Sequence, residues 1–331
     1  MKTKLDFHPK FFSCIRNYSK ATFMSDLMAG TIVGIVALPL AIAFAIASGV
    51  SPEKGIVTAI IAGFIVSFLG GSKVQIGGPA GAFIVIVYGV IQQYGIGGLT
   101  VATIIAGVLL ILLGAFKLGT VIKFIPYPVV VGFTSGIAVT IFTTQMADVF
   151  GLSFGGETVP GDFIGKWMLY FRHLDTINWW DAGVSILSVL IIMLVPKFSR
   201  RIPGSLVAII LVTAGVYALK TCLGIEGIDT IGDRFTIASQ LPKAEMPALD
   251  WEAVKNLFPI AVTIAALGAI ESLLSATVAD GMISDHHNSN TELIALGVAN
   301  MVAPIFGGIP ATGAIARTMT NINNGGRTPV A

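Results

Sequence analysis

The chain has 331 residues, of which 54% are hydrophobic and only 11% charged, and its net charge is +2. A soluble domain carries about 25% charged residues, so this composition, with a mean hydropathy of +0.85, excludes one. The small positive charge is no footprint for nucleic acid, and Cys14 and Cys222 have neither metal-ligand nor disulfide-framework spacing.

Residues 1–26 form a polar, partly amphipathic lead-in. Its Lys2, Lys4, Lys10, Arg16 and Lys20 outnumber Asp6 and Asp26, which predicts a cytoplasmic N-terminus by the positive-inside rule. No charged residue occurs from Leu27 to Pro52, and about 20 apolar residues suffice for a helix to cross the hydrocarbon layer. That stretch is too long, and recurs too often, for a secretory signal peptide. Continuous apolar runs of this length also exclude the alternating strands of a β-barrel. The expected spans are 27–50, 55–69, a short third span from Pro79 to Tyr94, then 99–116 and 128–146. A polar segment, 148–181, follows, with Trp179 and Trp180 as an interfacial anchor. Spans at 182–195 and 202–219 flank the basic link Lys197, Arg200 and Arg201, which reads as cytoplasmic. Glu226, Asp229, Asp233, Glu245, Asp250 and Glu252 outnumber Lys220, Arg234, Lys243 and Lys255 in the next segment, which suits the outside. Spans 257–278 and 292–306 then lead to a segment starting at Pro310.

A Gly-Gly pair followed by Pro occurs twice, as Gly77-Gly78-Pro79-Ala80-Gly81-Ala82 and, with one insertion, as Gly307-Gly308-Ile309-Pro310-Ala311-Thr312-Gly313-Ala314. Paired Gly/Pro interruptions of hydrophobic segments mark transport sites in membrane proteins. Proline fits the first turn of a helix, so both copies read as helix N-termini starting within the membrane, with 73–78 as extended chain lining a cavity. Each such end presents unpaired amides and partial positive charge. Two of them facing one point make an anion site.

Two charged residues lie inside the apolar runs. Glu271 is mid-span, where an acid costs about 2.5–3.5 kcal/mol on insertion scales and marks function by default. It either carries a coupling ion or is a structural acid bonded to a neighbouring helix. Arg317 lies two turns into the second broken helix, and its planar fork of donors suits oxyanions. A Glu271–Arg317 ion pair is compatible with both readings, because protonating Glu271 frees Arg317. Ser275, one turn beyond Glu271, is placed to bond its carboxyl. Pro39 kinks or unwinds the first span, where Leu40 and Phe44, one turn apart, can line a cavity. His286 and His287 lack a third metal ligand, and the chain has no P-loop or nucleophile motif.

These residues resemble the SulP family, the sulfate-permease-like anion transporters. The likeness rests on Asp26-Leu27-Met28-Ala29-Gly30, Leu38-Pro39 with Ala43-Phe44-Ala45, Gly78-Pro79-Ala80-Gly81, Ile270-Glu271-Ser272-Leu273-Leu274-Ser275, Asn300, Gly307-Gly308-Ile309-Pro310, and Ala316-Arg317-Thr318 with Gly325-Gly326-Arg327-Thr328. It implies an all-α polytopic fold of two inverted seven-segment repeats, with half-helices at segments 3 and 10. On that plan the chain reads as a lead-in (1–26), a first repeat (27–219), an extracytoplasmic loop (220–256) and the start of a second repeat (257–331). The last four spans and the family's cytoplasmic STAS domain are then missing. A core domain moving against a gate domain, usually in a homodimer, is implied as well. The family's anion lies between the third and tenth segments, completed by segments one and eight. The resemblance carries a substrate site onto Leu40, Phe44, Ala80, Gly81, Thr312, Gly313, Ala316 and Arg317, and ion coupling onto Glu271 and Ser275.

The chain departs from the family in two places. Many anion-binding members have Gln at Leu40 and Tyr at Phe44, and sodium-dependent bicarbonate members have Asp at Glu271 and Thr at Ala80. Glu and Arg together resemble proton-linked sulfate-type carriers. The expectation is a bacterial inner-membrane secondary transporter, not an enzyme and without a cofactor, that takes up a sulfate-type oxyanion with protons. Sodium-coupled or exchange-type bicarbonate or chloride transport is the alternative. An anion channel or voltage-responsive protein on the same fold is the alternative from another class.

Overall fold

The computed structural model describes residues 7–16, 18–120, 127–198, 204–225, 227–235, 243–245 and 251–331. Lys2, Lys4, Asp6, Arg200, Arg201, Glu226 and Asp250, used above for topology, lie outside the described residues, as does the expected start of the seventh span at residue 202. The chain forms two compact units, one of residues 1–130 with 238–331 and one of residues 131–237.

In the first unit, the short helix α1 (Lys10–Ile15) precedes α2 (Lys20–Ala47). The Ser19 side chain accepts from the Thr22 amide and so caps α2. Of the kink or unwinding expected at Pro39, unwinding does not occur: the helix runs unbroken through it. A tight turn leads to α3 (Pro52–Leu69), with Pro52 at its first position. Next comes a three-residue strand, β1 (Gly77–Pro79), and a turn of 3-10 helix, Gly81–Phe83. The helix α4 (Ile84–Ala115) follows and is kinked at Gly95, whose φ of 67° a side chain would disfavour. The gap expected between the third and fourth spans is thus a single glycine kink. Among the described residues, six helical stretches, Lys20–Ala47, Pro52–Leu69, Gly81–Ala115, Trp179–Phe198, Gly204–Cys222 and Val254–Ile283, are long and apolar enough to cross a membrane.

The second unit holds most of α5 (Tyr127–Val149), the amphipathic α6 (Phe163–Arg172), α7 (Trp179–Phe198), α8 (Gly204–Leu223) and the single turn α9 (Ile231–Arg234). Helices α7 and α8 pack together, and Ile186, Val189, Met193, Ile210 and Leu211 stay exposed along them, as lipid-facing side chains do. The polar segment after the fifth span folds α6.

The chain returns to the first unit with α10 (Trp251–Ile283), α11 (Ser289–Val302) and a 3-10 turn, Ala303–Phe306. A second short strand, β2 (Ala311–Gly313), and α12 (Ile315–Asn323) complete it. Helix α4 packs against both α10 and α11. Its crossing with α11 is glycine on glycine: a Cβ on Gly107 or on Gly297 would stand 2.6 Å from the other's carbonyl oxygen. Close backbone approach at small residues is how helices associate in lipid, where apolar burial offers no extra drive. Phe83, Val87, Leu99, Leu110, Leu257, Ile264, Leu293 and Leu296 fill the core around that crossing.

Candidate functional site: two paired chain breaks

The two Gly-Gly…Pro breaks meet as an antiparallel pair. Gly77 lies opposite Gly313, Gly78 opposite Thr312 and Pro79 opposite Ala311. The Ala314 amide donates to the Ile76 carbonyl at 3.0 Å. By the alternation of an antiparallel ladder, Gly78 and Thr312 form the next bonded pair, so the Thr312 amide is turned to β1. This corrects the helix-start reading. Pro79 sits in a strand and Pro310 just before one, and helix begins only at Gly81 and Ile315. The physical reason is satisfaction of backbone groups: extended chain inside a membrane needs partners, and each break supplies the other's.

Side chains fix this pair to the surrounding helices. The Asn300 amide closes a ring on Ala311, donating to its carbonyl at 2.8 Å and accepting from its N–H at 2.9 Å. The Thr312 hydroxyl donates to the Gly268 carbonyl of α10 at 3.0 Å. The Thr58 hydroxyl of α3 accepts from the Ile309 amide at 2.7 Å. Around the pair lie Ala80, Phe83, Ala269, Leu273 and Ala311 of the apolar core.

Arg317, 3% exposed, lies in the first turn of α12 and reaches across to β1. Its Nη2 donates to the Pro79 carbonyl. Its Nε and Nη1 are buried with no hydrogen-bond partner, and Nη1 rests where a Cβ of Gly78 would be. Glu271, on α10, has its buried Oε2 without a partner as well. It lies within electrostatic reach of Arg317. Among the described residues, however, no ion pair within 4.0 Å joins the two, which corrects the direct pair expected from the sequence. The site therefore holds unspent donors on one side chain and an unspent acceptor on the other, an unusual state for buried groups.

Ser275 does not bond Glu271; its hydroxyl donates to Thr318 Oγ1 at 3.3 Å, and Thr318 accepts from the Ile76 amide at 3.1 Å. Helix α2, which carries Leu40 and Phe44, packs on β1 and α12, with Phe44 buried and Leu40 half-buried. Ala80 and Gly81 are buried at the turn after β1, Gly313 is buried in β2, and Ala316 is exposed on α12. A cavity of about 430 Å³ borders Ile76, Gly77 and Arg317. Among the described residues, no group of three or more His, Cys, Asp or Glu is placed to hold a metal.

Several buried polar residues of the first unit have no site role in the sequence reading. Gln75 donates to Ser272 Oγ at 2.6 Å, leaves its own Oε1 unpartnered and covers Gly313. Asn321 donates to the Val74 carbonyl at 3.0 Å and leaves Oδ1 unpartnered. Asp26, fully buried, accepts from Tyr18, the Arg327 amide and Thr328. Glu292, also fully buried, accepts from the Gly71 and Ser72 amides at 2.7 and 3.1 Å. Gln75 and Asn321 stand in polar stretches, 71–75 and 317–324, where nothing local singled them out. Apart from Tyr18, the partners of Asp26 and Glu292 lie hundreds of residues away and left no local trace.

YvdB of Bacillus subtilis is 45% identical to this chain over 322 residues, covering 97% of the chain and 60% of YvdB. The bicarbonate transporter BicA of Picosynechococcus is 32% identical over 313 residues, covering 92% of the chain and 54% of BicA. The chain thus spans little more than half the length of these relatives. The solved transmembrane domain of a cyanobacterial BicA superposes with a TM-score of 0.78 at 30% identity, covering 95% of the chain and 79% of that domain. Six apolar helices on this fold make a multi-pass membrane protein. The model of the sulfate permease family matches residues 23–331, and the chain belongs to that family.

Proposed function

We propose that the chain forms the substrate-binding part of a secondary active transporter that takes up a small inorganic oxyanion of the sulfate type with protons. One observation carries this: the guanidinium of Arg317, held at the paired breaks by Pro79, keeps Nε and Nη1 unspent beside a cavity. An oxyanion is the partner such a fork fits. The backbone of Ala80, Gly81, Thr312 and Gly313 frames the anion, and Leu40, Phe44 and Ala316 shape the space around it. Glu271 carries the proton. Its unpartnered Oε2 is costly as a carboxylate and cheap as an acid, so it takes a proton when Arg317 turns to the anion. The protein works in the bacterial inner membrane with its N-terminus cytoplasmic, as a homodimer.

Bicarbonate is the second reading, favoured by the likeness to BicA. Uptake of labelled sulfate and bicarbonate into proteoliposomes under imposed proton or sodium gradients separates the two. Sulfate accumulation driven by an inward proton gradient, and lost in Glu271→Gln, is the expected result. Accumulation that follows sodium and ignores the proton gradient overturns the coupling assignment.

A further inference from the structure

A cavity of about 1110 Å³ in the first unit shares no lining residue with the one at the paired breaks. It lies between α1 and the start of α11 and is lined by Lys10, Arg16, His286, Ser13, Thr120 and Asn290, among others. Among the described residues that line it none is an Asp or Glu, although Asp280 lies 2.7 Å from the lining His287. Lys10 is 3.6 Å from Asp285, but that carboxylate is shared with Lys73 at 3.1 Å, so one acid faces two ammonium groups. Arg16 is exposed and makes no ion pair among the described residues. The cavity is therefore a polar bowl of net positive charge.

Its rim is apolar. Phe12 borders the cavity and is 56% exposed, and Ile15 of the same helix is 50% exposed. Phe11 and Phe12 pack on Phe68 at ring distances of 4.9 and 5.6 Å, and Phe68 stacks on Phe64 at 5.7 Å. Phe64 is 67% exposed on α3, a membrane-spanning helix. The Lys10 amide bonds the Gly70 carbonyl at the end of α3, which holds α1 at the level where that span leaves the membrane. An aromatic track thus runs from the lipid-facing side of α3 to the lip of the bowl. A free anion has no use for such a track, whereas a phospholipid fits both parts.

We propose that this bowl binds the headgroup of an anionic phospholipid, with its acyl chains laid along Phe12, Phe68 and Phe64. Lys10 and Arg16 neutralise the phosphate, Ser13, Thr120 and Asn290 bond the rest of the headgroup, and the bound lipid clamps α1 to α3 and α11.

The test is thermal unfolding of the purified, delipidated protein titrated with phosphatidylglycerol, phosphatidylcholine or glycerol phosphate. Phosphatidylglycerol should raise the melting temperature and the other two should not. Lys10→Gln/Arg16→Gln should need roughly thirtyfold more phosphatidylglycerol for the same shift. Phe12→Ser should weaken the response through its acyl contacts, and the exposed Arg16→Gln alone gives a partial loss without touching the Asp285 pair. An equal response in the double variant, or stabilisation by glycerol phosphate as large as by the lipid, overturns the proposal.

Discussion

Gly78 and Arg317 share one small volume: a Cβ built on Gly78 would lie 2.3 Å from Arg317 Nη1, and Gly78 holds a φ of +151°. The glycine is required twice over, by its backbone and by the guanidinium that lies against it. Gly78→Ala should destabilise the protein by about 1–3 kcal/mol. Combined with Arg317→Ala, the steric part should vanish, leaving a coupling of about 0.5–3 kcal/mol between the two changes. Denaturant unfolding of the two single variants and the double variant measures it. Strict additivity would mean that the two residues do not meet.

Asn300 is the only side chain described as bonding both backbone groups of Ala311. Asn300→Ala leaves a buried N–H and a buried C=O unpaired, at about 1–3 kcal/mol each. Asn300→Asp should do no better, because its second oxygen faces the Ala311 carbonyl in place of a donor. Unfolding midpoints of both variants within experimental error of the parent would contradict this role.

Asp26 ties the start of α2 to the chain 300 residues further on. Its carboxylate accepts from the Arg327 amide at 2.9 Å and from the Thr328 hydroxyl at 2.5 Å. Bonds to an ionised acceptor are about twice as strong as neutral ones. Asp26→Asn should therefore speed hydrogen exchange at the Arg327 and Thr328 amides by at least about tenfold, which corresponds to about 1.4 kcal/mol. Unchanged exchange would show that another contact holds this segment.

The link between α1 and the loop before α11 should loosen in acid. Burial pushes the Asp285 carboxyl up, but the His286 amide, Lys73 and Lys10 outweigh it and hold the group below the usual carboxylate range. A carboxyl depressed in the folded state stabilises above its unfolded value of about 3.9 and loses that contribution as pH falls through its folded value. Intrinsic-rate-corrected hydrogen exchange at 10–15 should rise below about pH 4, and Asp285→Asn should flatten the profile. A parent profile already flat would remove Asp285 from the link.

Most membrane spans were legible because uninterrupted apolar runs admit few structures, although the one expected at 292–306 is a largely buried helix of 14 residues, Ser289–Val302, and a 3-10 turn; the two breaks were legible because Gly and Pro punctuate them. Their geometry was not. Reading Pro79 and Pro310 as first-turn helix residues treated each break alone, whereas their backbone groups are satisfied by one another across most of the chain. The same limit hid the Ser275–Thr318 bond behind a nearer candidate, Glu271. It also hid the meaning of Asp26, whose acceptors look like ordinary lead-in charge until residues 325–328 fold back on it. Local pattern located Glu271 and Arg317 as the charged residues of the site; only packing separates them by more than ion-pair distance and leaves their polar atoms unspent.

Equilibrium binding of labelled sulfate to the parent protein and to Arg317→Ala tests the central claim most directly, with folding of the variant checked by its unfolding midpoint. Losing a charge-assisted contact should weaken sulfate about 10- to 100-fold. Sulfate binding of unchanged affinity in a folded Arg317→Ala protein would place the anion elsewhere and contradict the account.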